Sequence, residues 1–210
     1  MRSRKCQTAK ATRDFAKDKE VLRQQMASID QEGLKIVFVD EVLFTKSTVQ
    51  TRDFSRKGTN IEVNSNVTYM KPLSVVASIS TDAKVEHLLI HKGSTNQQLF
   101  IKFLRQLRGK LANERVAVFM DNLRVHATKL VRATMDELDF VPVYNVRYMP
   151  DYNPIETVFA TVKRDFKQQR LNRLVNGLSF SPNVLIRRAF RQVKPTNIDA
   201  CIRASLRLIH

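Results

Sequence analysis

The sequence predicts a mixed α/β fold, a sheet covered by helices, and three observations lead to it. Short continuous runs of branched apolar residues at 34–40 (LKIVFVD) and 116–120 (VAVFM) read as central, buried strands. Several longer segments carry apolar residues at helical spacing. Their order is strand, two hairpin strands, helix, strand, helix, strand, helix, which builds a mixed sheet with helices packed on it. A chain of 210 residues is one domain with short extensions, long enough to bury a core without disulfides.

Each element has a local reason. Residues 1–13 are basic and aperiodic, a loose tail. Within 14–30, Phe15, Leu22, Met26 and Ile29 fall on one helical face, and Gly33 ends that helix. The 34–40 strand follows. Residues 41–71 are polar, with a turn at Lys57-Gly58-Thr59-Asn60, and read as a long hairpin excursion. Strands at 73–79 and 85–90 form an antiparallel pair across a Thr-Asp turn. Thr95-Asn96-Gln97-Gln98 has capping-box form, and Leu99, Phe100, Phe103, Leu104, Leu107 and Leu111 then make one apolar face. After the 116–120 strand, a helix through 127–138 leads to a third parallel strand at 140–146. Asn153 as N-cap and Pro154 at the first helical position open a helix that buries Ile155, Val158, Phe159, Val162 and Phe166. Two helices, near 183–193 and 196–208, close the chain.

Thirty-six Lys and Arg against twenty Asp and Glu leave a net charge of +16, with a pI of about 10.2. Such an excess favours a polyanion, because each neutralised phosphate releases counterions. A ribosome-associated protein or a merely basic surface would share this composition. Cys6 and Cys201 have no metal-ligand spacing and fit a reducing compartment. No signal-peptide core and no membrane span are predicted, so the chain is expected not to be secreted.

Asp40 and Asp121 each end a strand expected to be central, and in open α/β sheets ligands bind at the carboxyl ends of strands. Taken singly, either is more often a turn or cap residue. Glu156 stands third in a helix capped by Asn153, where it would complete a capping box and suit the helix dipole. Together, two strand-end aspartates and a helix-start glutamate on a basic chain match two-metal phosphodiester chemistry. Mg²⁺ prefers hard oxygen ligands, and a pair of ions stabilises both oxygens of an in-line displacement. No histidine cluster, CxxC pair, Walker loop or GxSxG elbow competes.

Three strings carry a resemblance: Val39-Asp40-Glu41, Met120-Asp121-Asn122-Leu123-Arg124-Val125-His126, and Pro150-Asp151-Tyr152-Asn153-Pro154-Ile155-Glu156. They resemble the mariner-like transposases of the DDE superfamily, and the thirty-four residues between Asp121 and Glu156 are similar to the spacing of one mariner-related branch. Weaker similarity covers Phe54 to Gly58, Ser74 to Ser80 and Gly93 to Asn96, so the match runs over about 34–170. The resemblance implies a ribonuclease H-like fold with a five-stranded core. It implies a catalytic domain at 34–175, after a basic tail and linker helix at 1–33 and before packing C-terminal helices at 176–210. It further implies two Mg²⁺ or Mn²⁺ ions held by Asp40, Asp121 and Glu156, with Asp40 bridging them, and no small-molecule cofactor. The expected activity is cleavage of DNA and strand transfer at transposon ends and target DNA, with TA as a possible target step. A homodimer, no membrane partner, and a place in the nucleus of a eukaryote or the nucleoid of a bacterium are also expected.

Asn122, His126 and Asn153 match the family strings as supporting residues, with a structural histidine the ordinary alternative. Glu41 is expected opposite Asp40 along the strand, in a supporting role. Arg56 and Lys57 are expected DNA contacts. Lys163, Lys167 and Arg170 return to the Glu156 face of their helix, so a phosphate-binding stripe stands beside an ordinary solvated face. Two departures stand out. Phe159 replaces the Trp usual in relatives, and only thirty-nine residues precede Asp40 where relatives carry a helix-turn-helix region. The rival readings are a domesticated or truncated transposase that binds DNA without cutting, and a nuclease of the same fold acting on RNA–DNA hybrids.

Overall fold

In a computed structural model, which describes residues 15–45, 70–111, 114–123 and 125–209, alternation along the strands divides the core into two. The strands are β1 (Lys35–Phe44), β2 (Leu73–Ser80), β3 (Lys84–Lys92), β4 (Val116–Met120) and β5 (Phe140–Tyr144). The helices are α1 (Phe15–Gln31), α2 (Gln97–Arg108), α3 (Lys129–Glu137), α4 (Ile155–Val175), α5 (Pro182–Arg191) and α6 (Pro195–Ile209), with a 3-10 turn at Pro150–Tyr152. The sheet order is β3-β2-β1-β4-β5; β1 pairs antiparallel with β2 and parallel with β4, and β4 runs parallel to β5. Ile36, Phe38, Val42, Phe44, Ala117 and Phe119 face a layer built from α1, α4, α5 and α6. Val37, Val39, Val116, Val118 and Met120 face α2 and α3 on the other side. The fold is thus a mixed five-stranded sheet between two helical layers, as expected.

Differences from expectation are local and have physical causes. β1 continues to Phe44 because Val42 and Phe44 keep alternating into the core, so Asp40 lies inside the strand and not at its end. β4 leaves it after Phe38, and from there β1 pairs with β2 alone, opening one side of Asp40. α2 is capped by Asn96, whose Oδ1 accepts the Leu99 N–H at 2.9 Å; Thr95 is drawn instead to His91 Nε2 at 3.0 Å. Gly33, with φ +63°, ends α1 as foreseen: its N–H reaches Asp30 O and the Leu34 N–H reaches Ile29 O, a Schellman pair that needs a left-handed residue. Cys6 and the predicted turn at 57–60 lie outside the described residues. No described helix is long and apolar enough to cross a membrane.

Candidate active site

Strand register brings the aspartates together. β1 and β4 run parallel with Phe38 opposite Phe119, so two residues further on Asp40 stands level with Asp121. The alternation that sends both phenylalanines to the α4 side sends both aspartates there too. The two carboxylates lie within each other's field, since the charge of Asp121 raises the Asp40 carboxyl. α4 supplies the third acid. Asn153 Nδ2 donates to Val39 O at 3.3 Å and Asp40 Oδ2 at 3.4 Å, fastening the helix start to β1. Glu156, in the first turn of α4, is thereby held beside Asp40. All three acids, with Asn122 and Asn153, line one open cleft of about 430 Å³.

That fastening corrects a sequence expectation. Asn153 does not cap α4; its side chain is spent on β1, and Pro154 in helical conformation takes the cap position without a side-chain hydrogen bond. The Asn153 N–H goes to Pro150 O, so no capping box forms, and Glu156 is exposed toward the cleft. The capping-box explanation for Glu156 is thus absent, and the helix dipole is the ordinary reason that remains.

The electrostatics are those of crowded acids. Burial pushes the Asp40 carboxyl up to about 8; the Glu41 N–H, 2.7 Å from Oδ1, opposes this, while the charges of Glu156 and Asp121 and a hydrogen bond with Glu156 add to it. Asp121 Oδ1 lies 2.7 Å from His126 Nδ1, close but not aligned as a hydrogen bond, so that buried oxygen lacks an aligned donor. Asn145 Oδ1 and Asn153 Oδ1 are likewise buried without a donor. His126 is buried with its ring 4.2 Å from that of Phe100, a position that steadies Asp121 and excludes contact with solvent. Among the described residues no three His, Cys, Asp or Glu are gathered closely enough to hold a metal ion as they stand. The three carboxylates share a cleft without converging on one point.

The other expected residues fare differently. Glu41 is half-buried and supports Asp40 through its N–H. Lys163 and Lys167 are half-buried on α4 and do not line the cleft. Arg170 is fully buried, its guanidinium 5.9 Å from the Phe180 ring, so it packs in the core and is no part of a phosphate stripe. Arg56 and Lys57 lie outside the described residues. Asn145, Arg147 and Tyr148 line the cleft and were not foreseen. The same strand-end rule that singled out Asp121 applies after β5 and would have found them. Tyr148 is 71% exposed and holds φ +65°, a left-handed conformation that strains a side-chain-bearing residue.

A sequence profile of the family described as DDE superfamily endonuclease matches residues 35–176. No curated protein matches the chain. Among solved structures, the Mos1 strand transfer complex is similar over 100% of this chain and 64% of that one, at 14% identity and TM-score 0.62. This chain therefore spans less than two thirds of that longer protein. A Mos1 transposase catalytic domain with raltegravir and Mg matches over 94% of this chain and 98% of that one, at 15% identity and TM-score 0.55. The catalytic domain of Mos1 mariner transposase matches over 94% and 96%, at 16% identity and TM-score 0.52. At these identities the likeness establishes a shared ribonuclease H-like fold.

Proposed function

Since the chain belongs to the DDE superfamily of endonucleases, we propose that it is a transposase catalytic domain that cuts DNA strands and transfers them. The observation that carries this reading is the register of β1 and β4, which sets Asp40 level with Asp121 under the Glu156 end of α4. The donor set fits a hard divalent cation such as Mg²⁺ or Mn²⁺. It is all oxygen, and several of the buried oxygens at the cleft lack a donor. No Lys or Arg pairs with the three acids among the described residues, so a cation would offset the burial and the neighbouring negative charge that raise Asp40. Asp40, Asp121 and Glu156 would hold two such ions. Bound there, the ions supply positive charge to the attacking and leaving oxygens of a phosphodiester.

The chain's own side chains do the positioning. Asn153 and the Glu41 N–H fix the two oxygens of Asp40, and His126 steadies Asp121. Arg147 stands at the cleft wall where a substrate phosphate would pass. Residues 34–175 form the catalytic unit in this reading, close to the bounds of the family match. DNA at element ends and in the target, including TA steps, would be the substrate. Action as a homodimer, in a nucleus or nucleoid, completes the proposal.

Glu156→Gln tests it. The variant should lose Mg²⁺-dependent nicking of duplex DNA while binding DNA as tightly as the wild type, since affinity comes from the basic surface. Near-normal nicking would remove Glu156 from the site. A wild-type chain that binds DNA but nicks none with Mg²⁺ or Mn²⁺ would favour the reading of DNA binding without catalysis.

A further inference from the structure

α5 contains no acidic residue. Leu185, Ile186, Ala189 and Phe190 bury one face of it against α4 and β3, which leaves Arg187, Arg188 and Arg191 exposed on the other. Arg188 and Arg191 sit in the last turn, where cations suit the negative end of the helix dipole. That does not explain Arg187. Across from α5 runs β3, the edge strand of the sheet, and between them opens a second groove of about 730 Å³. Lys84, His87, Lys110, Arg187 and Arg191 line it over an apolar floor around Phe190.

The groove is electropositive. Its one lining carboxylate among the described residues, Glu86, is neutralised by Lys35 at 2.8 Å and Lys84 at 3.6 Å. Lys110, Arg187 and Arg191 are exposed, and none has a carboxylate partner among the described residues. Burial holds the His87 imidazole below its usual value against the hydrogen bond that its Nε2–H donates to Gln106 Oε1, and the charges of Lys110 and Arg187 hold it lower still. Both cations therefore point their field into the same space. The groove is also remote from the acids. Lys84 pairs with Ser80 and Ser80 with Val37, so its mouth lies two strands across and three residues down from Asp40, about 10 Å in each direction.

We propose that this groove is a second binding surface for the phosphate backbone of DNA, separate from the carboxylate cleft. It rests on the DNA reading above and extends it to a second stretch of the same polymer. Arg187 and Arg191 are one turn apart, a rise of about 6 Å, which spans about two phosphates of a strand at 3.4 Å each. A chain of net charge +16 that processes DNA meets this polymer at high local concentration, whereas an acidic protein segment would need a partner.

The test compares wild type with Arg187→Gln/Arg191→Gln on a random duplex of about 40 base pairs, across salt, with nicking measured in parallel. The double variant should lose about two units of slope in log affinity against log salt, so its affinity loss between about 50 and 200 mM salt shrinks by about tenfold. Arg187→Lys/Arg191→Lys should keep the wild-type slope, which separates lost charge from a damaged fold. An unchanged slope in the Gln variant overturns the proposal, and so does loss of poly-glutamate binding with DNA binding intact, which would make the groove a dock for an acidic segment. If the slope falls as expected but wild type nicks nothing, the groove stands and the catalytic reading fails; if wild type nicks and the slope is unchanged, the groove alone fails.

Discussion

The two ends of the sheet treat carboxylates in opposite ways. Where β1 begins, Lys35 Nζ lies 2.5 Å from Asp82 and 2.8 Å from Glu86, Lys84 adds a second cation, and Arg115 reaches Glu32 at 3.1 Å and Asp139 at 3.6 Å. Each acid there has a cation. At the other end Asp40, Asp121 and Glu156 face one another, and no Lys or Arg pairs with them among the described residues. Compensated charge holds strand starts in place at modest cost. Uncompensated charge raises the energy of the folded chain and persists where the surroundings over-determine it, as sites for ligands do. The contrast separates carboxylates that serve the fold from those that serve chemistry, which composition alone does not.

The sharpest way to break the contrast is to neutralise one acid at each end. Asp40→Asn should reduce nicking to the level seen without metal, yet it should stabilise the chelator-treated protein at high pH. The sign follows from the folded pKa of about 8 against the ordinary 3.8. The protonated form is favoured by folding, so the stability it brings is fully present below 3.8 and lost as pH rises through about 8. Asn mimics the protonated form. Denaturant midpoints with a chelator should therefore diverge as pH climbs from acid and level off above about 8. A variant less stable than wild type at every pH would mean that Asp40 serves the fold.

At the opposite end Lys35→Met should do the reverse. It leaves the almost fully buried Glu86 carboxylate with the more distant Lys84, and breaking a buried pair from one side costs about 3 kcal/mol. Nicking per folded molecule should not change. A loss below about 0.5 kcal/mol, the scale of an exposed pair, would show that this end is as open as any surface. Metal should separate the ends more gently. At about a hundredfold excess over its dissociation constant, Mn²⁺ should stabilise wild type by about 2.7 kcal/mol, read as a higher melting temperature. Asp121→Asn should blunt that rise and Lys35→Met should leave it intact. Equal rises in wild type and Asp121→Asn would count against a shared metal site.

What the sequence made legible follows from how local each feature is. The buried strands, the Gly33 stop and the helical faces are set by neighbours in the chain, and they appear where periodicity puts them. Asp40 and Asp121 were legible because each closes a readable apolar run, although β1 extends past Asp40. The partner of Asn153 was not legible. As a helix opener it reads as a cap, and only the arrival of Val39 and Asp40 from 113 or more residues away shows where its amide goes. Arg170 failed for the same reason: its angle around α4 is readable, but that Phe180 lies against it and the fold buries it is not. The β5 to α4 connection carries Arg147 and Tyr148 into the cleft through tertiary contacts, among them Ser205 of α6 holding Asp151 O at 2.8 Å.

The smallest expected effect lies on the rim of the compensated end. Asp82 is about half exposed, and its hydrogen bond with Lys35 holds its carboxyl below 3.8 in spite of partial burial. A depressed carboxylate contributes stability that is present above the unfolded value of 3.8 and lost as pH falls through the lower folded value. Asp82→Asn should therefore cost about 0.5 kcal/mol at neutral pH, the scale of an exposed ion pair, and nothing once both forms are protonated in strong acid. Because solvent reaches the pair, salt near 1 M, where the screening length is about 3 Å, should erase most of the difference. The pH trend is opposite in direction to that of Asp40: wild type gains on the Asp82 variant as pH rises from acid, and loses ground to the Asp40 variant over a higher window. Denaturant midpoints for both variants on one pH series measure this directly. Parallel trends would mean that the two ends of the sheet are electrostatically alike, and the distinction between structural and chemical carboxylates would fall with them.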